Sequence, residues 1–296
     1  MTILQAIILG IVQGLTEFIP ISSTAHLVFA ARAVGLYAGA NTTLRAEQTT
    51  ATIAVIQLGT LLAVLIYFRL DILNISRAFI KDHFALLSGR KLEQVSGGKL
   101  STDAWLGWLV IIGSLPVAIV GLLFKKQIEG TFTKNLWVIA TMMIVVALML
   151  ALAELLGKRM RSMEDLGIRD ALTVGCAQVL ALIPGSSRSG STIMGGLFAG
   201  ETRETAARFS FLLSIPAIAA SGLLELKEAF EKLPHEHYMA LAVATIVSGI
   251  VGYASIWFLL RFLRKHSTGV FIIYRLLVGG LIVFALLRGY LSADLV

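Results

Sequence analysis

Residues 13–26 place several reactive side chains in an otherwise apolar stretch: the amide of Gln13, the carboxylate of Glu17, the hydroxyls of Ser22 and Ser23, and the imidazole of His26. Ser23 and His26 are three residues apart and would share one face of a helical turn. That spacing lets the imidazole take or hold the hydroxyl proton, as expected of an activated nucleophile. The stretch therefore predicts a catalytic role and not only ligand binding.

Glu17 admits several roles. It could orient His26, act as a general base, or help Gln13 to hold a divalent cation, since Gln13 and Glu17 are four residues apart on a helical face. Magnesium at phosphate sites typically uses one or two carboxylates together with substrate oxygens and water. The simpler alternative is that Glu17 and His26 form a buried structural pair.

A second polar stretch follows at residues 184–190 and reads Pro-Gly-Ser-Ser-Arg-Ser-Gly. Both stretches carry serines where a helix would begin, and a helix N-terminus offers free N–H groups and partial positive charge to an anion. Arg188 adds a planar cation suited to phosphate oxygens, and glycine allows close backbone approach. The alternative is two capped helix breaks. The predicted phosphate-binding residues are Ser22, Thr24, Gly185, Ser186, Ser187 and Ser189.

The composition indicates a helical integral membrane protein. Of 296 residues, 57% are hydrophobic and only 15% are charged, which is too few charges for a water-facing surface. Long unbroken apolar runs exclude the short alternating strands of a membrane barrel. We attribute the net charge of +7 to basic loops and not to nucleic-acid binding. The single cysteine, Cys176, excludes an internal disulfide.

Six apolar runs are long enough to cross about 30 Å of hydrocarbon as helices. Two further apolar regions, 2–36 and 168–200, are interrupted by proline and serine at 20–23 and 184–189. Because proline ends a helix, each half is too short to span, and a re-entrant hairpin of two half-helices fits better. No charged segment precedes the first run, so no signal peptide is expected. The six predicted spans are 51–68, 105–124, 136–156, 206–226, 238–262 and 269–290.

Loop charges predict the orientation. Loops 69–104, 157–169 and 261–266 carry thirteen Lys and Arg residues, whereas the loops on the opposite side carry six. By the positive-inside rule the first set is cytoplasmic. Hairpin 2–36 then enters from outside and hairpin 168–200 from inside.

The amino-acid sequence contains an internal repeat. Gly10-Ile-Val-Gln13 matches Gly175-Cys-Ala-Gln178, and Pro20-Ile-Ser22-Ser23 matches Pro184-Gly-Ser186-Ser187. The sequence therefore predicts one all-α membrane domain, 1–296, built from inverted repeats of about 1–156 and 157–296. Inverted repeats with broken helices place a site near mid-membrane, where half-helix N-termini face anionic groups.

Three smaller features complete the prediction. Apolar residues recur at near-helical spacing early in 69–104, which is typical of a helix lying in the membrane interface. His235 and His237 lack a matching ligand cluster and are expected in a solvated loop. Arg275, six residues into the last span, is expected to be paired inside the protein near a lipid head-group.

Residues 13–26 and 184–190 resemble the two signature regions of bacterial undecaprenyl-diphosphatases, the bacitracin-resistance family of lipid pyrophosphatases. The first signature reads Glu/Gln-Gly-x-Thr-Glu-Phe-x-Pro-x-Ser-Ser-Thr-x-His and the second Pro-Gly-x-Ser-Arg-Ser-Gly. The resemblance extends to 55–59, 209–213 and 274–275. Gln13 takes the less acidic option, which leaves fewer carboxylates for a metal, and Ala25 stands where glycine is frequent.

The resemblance implies hydrolysis of undecaprenyl pyrophosphate to the monophosphate, which recycles the carrier for peptidoglycan synthesis. It also implies the bacterial plasma (inner) membrane, an active site open to the outer face, homodimers, and Mg²⁺ or Ca²⁺. It carries over Glu17, Ser23, His26 and Arg188 as the catalytic set. Either Ser23, activated by His26, or a water activated by Glu17 would attack.

The competing hypothesis is a secondary transporter or flippase of a polyprenyl phosphate, because inverted repeats with broken helices are also a transporter architecture. Pure transport needs no nucleophile. The Ser23 and His26 pair therefore favours an enzyme.

Overall fold

The computed structural model describes residues 1–38, 42–88, 100–124 and 135–293. Within them the chain is helical, as predicted. The α-helices, numbered here in chain order, are α1 Ile3–Phe18, α2 Ser23–Ala33, α3 Thr42–Tyr67, α4 Arg69–Leu87, α5 Thr102–Leu123, α6 Leu136–Leu156, α7 Ile168–Val179, α8 Arg188–Phe198, α9 Arg203–Lys232, α10 Tyr238–Leu263 and α11 Gly269–Leu287.

Six of these helices, α3, α5, α6, α9, α10 and α11, are long and apolar enough to cross a membrane. They coincide with the six predicted spans, which are therefore confirmed apart from their ends. The largest difference is at the start of α3, which begins at Thr42 and not at 51; α9 also extends beyond the predicted 206–226, from Arg203 to Lys232. Helix continuity follows backbone hydrogen bonding, so a helix can outlast its apolar segment.

The remaining helices of the two motif regions are short. Helix α1 has 16 residues, α2 and α8 have 11 each, and α7 has 12. At 1.5 Å per residue none exceeds about 24 Å, which is less than the thickness of the hydrocarbon core. Helix α1 contacts α2, and α7 contacts α8. The predicted breaks after α1 and α7 are confirmed.

The first helix of each short pair packs on a long helix from the other half of the chain. Helix α1 lies against α10, and α7 lies against α5. A Cβ atom added to Gly10 would lie 2.6 Å from the Ala244 carbonyl oxygen, and one added to Gly175 would lie 2.3 Å from the Gly113 carbonyl oxygen. Only glycine permits these backbone contacts. The two glycines matched in the sequence repeat therefore both allow a short helix to approach a long helix closely.

Gly175→Ala should lower the stability of the folded protein by about 1–3 kcal/mol, because the new methyl group would force α7 away from α5. Gly280→Ala is the matched control, since nothing lies within 4 Å of its added Cβ atom. Thermal unfolding in detergent would measure both variants. An unchanged midpoint in Gly175→Ala would contradict the close approach of the two helices.

Helix α4 confirms the helix predicted at the start of 69–104. Ile75 and Phe79 face Gly107 of α5, whereas Ile80, Phe84 and other apolar side chains of α4 are exposed. An amphipathic helix with one apolar face uncovered is suited to an interfacial position. Residues 89–99 of the same connection lie outside the described residues.

Glu201, in the turn between α8 and α9, is a buried carboxyl group without a hydrogen-bond partner on either oxygen. Nearby, Asp170 is also buried and is bonded to Arg161 at 2.5 Å. Burial, with a smaller contribution from the Asp170 charge, raises the pKa of Glu201 from 4.5 to about 8, against the opposing effect of Arg161. Glu201 is therefore protonated at neutral pH in the folded protein.

This pKa predicts a loss of stability as pH rises. Between about pH 4.5 and 8 the folded protein retains a proton on Glu201 that the unfolded chain has released. Stability should fall through this window and level off above it, with an upper limit of several kcal/mol because each pKa unit corresponds to about 1.4 kcal/mol.

Glu201→Gln should remove this component, and Glu164→Gln, at an exposed position, is the control. Unfolding midpoints measured from pH 5 to 9 would show it as a steeper decline in the wild type than in Glu201→Gln. Parallel profiles for the two proteins would contradict the assignment.

Candidate active site

The two predicted loops have the same local structure. Ser22 caps α2 and Ser187 caps α8; their hydroxyls accept hydrogen bonds from the Ala25 N–H at 3.5 Å and the Gly190 N–H at 3.1 Å. Both serines have positive φ, 79° and 67°. Such backbone is strained by about 1–3 kcal/mol in residues other than glycine and persists only where surrounding contacts enforce it. The predicted capping is confirmed in both loops.

An ion pair joins the two loops. Arg188, at the first position of α8, donates from Nη2 to Oε1 of Glu17, near the end of α1. Gln13 Nε2 donates to the other oxygen of Glu17 at 3.0 Å, and Gln57 Nε2 donates to Oε1 at 3.3 Å. The fold thus brings together a carboxylate and a guanidinium that are 171 residues apart in sequence.

His26 has partners that sequence spacing did not predict. Its Nδ1 lies 2.7 Å from the Ser22 carbonyl oxygen, so this nitrogen carries the hydrogen. Its Nε2 lies 2.6 Å from the hydroxyl of Tyr274, which then donates to it. Neither nitrogen is bonded to Ser23 or Glu17. The alternative of a structural Glu17–His26 pair is therefore wrong, and Glu17 does not orient His26 directly, because Glu17 is bonded to Arg188, Gln13 and Gln57 instead.

Tyr274 was named only within the resemblance at 274–275, and the sequence reasoning did not predict it as a site residue. It lies in α11, 248 residues from His26, and their rings are stacked with centroids 5.6 Å apart. Its position next to Arg275 in an apolar span was the available signal. Because Nδ1 carries the hydrogen, Nε2 is the basic nitrogen of His26 in this structure.

The predicted phosphate-binding residues divide by exposure. Thr24 is exposed and Ser187 is partly exposed, as are the catalytic candidates Ser23 and Arg188. Ser22 and Ser186, in contrast, are at most 1% exposed. Direct contact with a ligand is thus open to the first turn of each helix.

The buried glycine and serine of the second loop make contacts within the protein. A Cβ atom on Gly185 would lie 2.3 Å from the Ile139 carbonyl oxygen, so this glycine approaches α6 and not an open surface. Ser189 donates to the Ile19 carbonyl oxygen at 3.3 Å, from one loop to the other. A role of Gly185, Ser186 and Ser189 in phosphate binding stays a prediction.

The donors for the predicted metal are limited. Glu17 is a single carboxylate already paired with Arg188, while Oε1 of Gln13 is buried beside it without a hydrogen-bond partner. In the described part of the chain no group of three or more His, Cys, Asp or Glu residues could hold an ion. His235 and His237 lie in a short turn before α10, where His237 contacts the amino group of Met1. A cation at Glu17 and Gln13 therefore requires substrate oxygens to complete its coordination.

The chain is similar to known proteins over nearly its whole length. A family model described as bacitracin resistance protein BacA matches residues 6–281. The chain is similar to the undecaprenyl-diphosphatase of Syntrophobacter fumaroxidans, with 50% identity over 97% of this chain and 99% of that protein. It is also similar to the undecaprenyl-diphosphatases of Chlorobium phaeobacteroides and Chloroherpeton thalassium, with 49% and 48% identity over 99% of this chain and 100% of each relative.

Proposed function

The chain belongs to the bacitracin resistance protein BacA family, and from this membership and its site we infer that it is an undecaprenyl-diphosphatase. It hydrolyses undecaprenyl pyrophosphate to undecaprenyl phosphate and inorganic phosphate, which recycles the lipid carrier of cell-wall synthesis and confers bacitracin resistance. The structural observation that carries this function is the Glu17–Arg188 pair, which joins the end of α1, shortly before the cap of α2, to the capped N-terminus of α8.

The diphosphate would bind between the N-terminal ends of α2 and α8. Each end supplies N–H groups and partial positive charge, and Arg188 supplies a full charge in a planar fork. Ser23, Thr24 and Ser187 are the exposed or partly exposed hydroxyls there. These groups would stabilise the charge that develops on the phosphoryl oxygens in the transition state.

We propose that Ser23 is the attacking group. Both oxygens of Glu17 already accept hydrogen bonds, from Arg188, Gln57 and Gln13, so a water activated by Glu17 would first have to displace one of them. In the proposed reaction Ser23 Oγ bonds to the terminal phosphorus and the bridging P–O bond breaks. The carrier monophosphate leaves, and water then releases inorganic phosphate from Ser23.

His26 would act as the base that accepts the proton of the attacking hydroxyl group. Its Nε2 must exchange the Tyr274 hydroxyl for the Ser23 hydroxyl or for a water, because a base acts only within hydrogen-bond reach. Glu17 would hold Arg188 in place. Direct attack by water, with Glu17 as the base, is the alternative that Ser23→Ala would test.

A divalent cation, Mg²⁺ or Ca²⁺, would be held by Glu17 and Oε1 of Gln13 together with substrate oxygens. The unpartnered Oε1 of Gln13 supports this placement. When bound, the ion would neutralise charge on the diphosphate. EDTA should then lower phosphate release, and added Mg²⁺ should restore it.

We also propose that 2–36 and 168–200 are re-entrant hairpins in an inverted repeat, within the bacterial plasma (inner) membrane. The short helices, the two strained serine caps and the reciprocal packing of α1 on α10 and of α7 on α5 support this topology. The loop charges support the predicted orientation of the hairpins, and the family resemblance supports a site that opens to the outer face and a homodimer. Cysteine labelling from either side of the membrane would test the orientation.

The decisive experiment is phosphate release from undecaprenyl pyrophosphate by the purified protein in detergent. Wild-type protein should release phosphate, and Glu17→Gln should release far less. A polyprenyl-phosphate transporter would release none, and would instead show counterflow of the lipid phosphate in liposomes. That pair of results would overturn the enzyme assignment.

A further inference from the structure

Arg275 is a buried guanidinium whose hydrogen bonds all go to main-chain carbonyl oxygens. It lies in α11 with no exposed surface. Its three nitrogens donate to five carbonyl oxygens at 3.0–3.4 Å, and no carboxylate among the described residues pairs with it. A buried charge without a counter-ion is unfavourable unless many dipoles surround it. The five acceptors are those of Pro20, Met142, Met143, Gly185 and Ser186.

These acceptors belong to the two active-site loops and to helix α6. Pro20 precedes the cap of α2, whereas Gly185 and Ser186 directly precede the cap of α8. One side chain therefore contacts the backbone just before both helix N-termini. The added Cβ atom of Gly190, in the first turn of α8, would lie 3.3 Å from Nη1 of Arg275, so the guanidinium also lies close beneath that turn.

The direction of the hydrogen bonds matters for anion binding. In a trans peptide the C=O and the following N–H point in opposite directions. Because the Ser186 carbonyl faces Arg275, the N–H of Ser187 points away from Arg275. The same contacts help to hold Ser187 at its strained positive φ. Arg275 thus orients the loop without being exposed to a ligand itself.

We propose that Arg275 is a positioning residue, which aligns the N-terminal ends of α2 and α8 as one anion site and adds an uncompensated positive charge behind it. The proposal rests on the proposed function, since the site is the one that would bind the diphosphate. Two adjacent residues of α11 would then support the site: Tyr274 is hydrogen-bonded to His26, and Arg275 is hydrogen-bonded to the backbone of both loops.

The test compares Arg275→Met and Arg275→Lys with Arg208→Met. Arg208 is an arginine of α9 paired with Asp71 at 2.9 Å, and it contacts neither loop. Arg275→Met should lower kcat for undecaprenyl pyrophosphate about 100-fold, the scale expected when reacting groups are misplaced by about 1 Å. Arg275→Lys keeps the charge but cannot bridge both loops, so its loss should be smaller. Arg208→Met should remain near wild type.

Inhibition by inorganic pyrophosphate separates positioning from general destabilisation, because it reports anion binding without chemistry. The inhibition constant should rise at least about tenfold in Arg275→Met and less in Arg275→Lys. Thermal unfolding in the same detergent checks the fold, and Arg275→Lys provides the comparison if the methionine variant does not fold.

A folded Arg275 variant with kcat and pyrophosphate inhibition within twofold of wild type would overturn the proposal. Loss of kcat in Arg275→Met and Arg275→Lys that follows only their unfolding midpoints would also overturn it. A wild-type protein that releases no phosphate refutes the proposed function instead, and this outcome is distinguishable from the others.

Discussion

Replacement of Arg188 by methionine is expected to lower kcat/KM for phosphate release by about 10³–10⁵-fold, the range associated with a catalytic arginine in phosphoryl transfer. The variant loses the planar cation that faces the phosphoryl oxygens. It also leaves Glu17, which is 7% exposed, without its ion partner, and a buried carboxylate without a cation is strongly unfavourable. The loss of the cation and the unpaired Glu17 carboxylate should both slow the transfer of the phosphoryl group.

Arg188→Lys and Arg208→Met are the informative controls. Lysine retains the charge but lacks the fork, so its activity should lie between those of the wild type and Arg188→Met. Arg208→Met removes an arginine that contacts neither loop and should change activity little. If Arg188→Met released phosphate within tenfold of the wild type, the diphosphate would not bind at the N-terminus of α8.

A double-mutant cycle with Glu17 tests the pairing itself. Glu17→Gln removes the charge of the carboxylate, and residues in direct contact are expected to have non-additive effects. The Glu17→Gln, Arg188→Met double variant should therefore be much less impaired than the product of the two single losses. Independent effects would indicate that the ion pair of the free protein is absent during catalysis.

Ser23→Ala is expected to lower kcat by about 10⁴-fold or more, since removal of a covalent nucleophile eliminates the main reaction path. If a water attacks directly, the same change removes only one hydroxyl from the first turn of α2, and the loss should be closer to tenfold, about the value of a single hydrogen bond. Ser114→Ala is the control, because that hydroxyl is bonded within α5 to the Val110 carbonyl oxygen.

The stereochemistry of transfer gives a second measurement of the same prediction. With a terminal phosphorus made chiral by isotopes and sulfur, attack by Ser23 followed by water involves two in-line displacements and retains configuration. Direct attack by water involves one and inverts it. Inversion, or near-normal activity of Ser23→Ala, would transfer the nucleophilic role to water and the basic role to Glu17.

The spacing of Ser23 and His26 shows the limit of local reasoning about this site. Residues three apart on a helix can meet, and the sequence therefore allowed a hydrogen bond between them. In the structure His26 is held by the Ser22 carbonyl and by Tyr274 of another helix. Periodicity predicts which residues share a face, but it does not predict which neighbouring helix that face will meet.

The sequence by itself determined the helical membrane class, the six spans, the two helix breaks and the serine caps. These features follow from local physics: about twenty apolar residues are needed to span, proline ends a helix, and serine caps the next one. It also identified Glu17 and Arg188, because charged groups are rare in such apolar surroundings.

Only the tertiary structure decided how these residues are paired. The Glu17–Arg188 ion pair, the Tyr274–His26 bond and the carbonyl partners of Arg275 each join segments at least 89 residues apart. Such contacts depend on how the helices rotate and approach one another, and that is set by packing at positions such as Gly10 and Gly175. Sequence patterns describe each helix separately, whereas the site exists only where the helices meet.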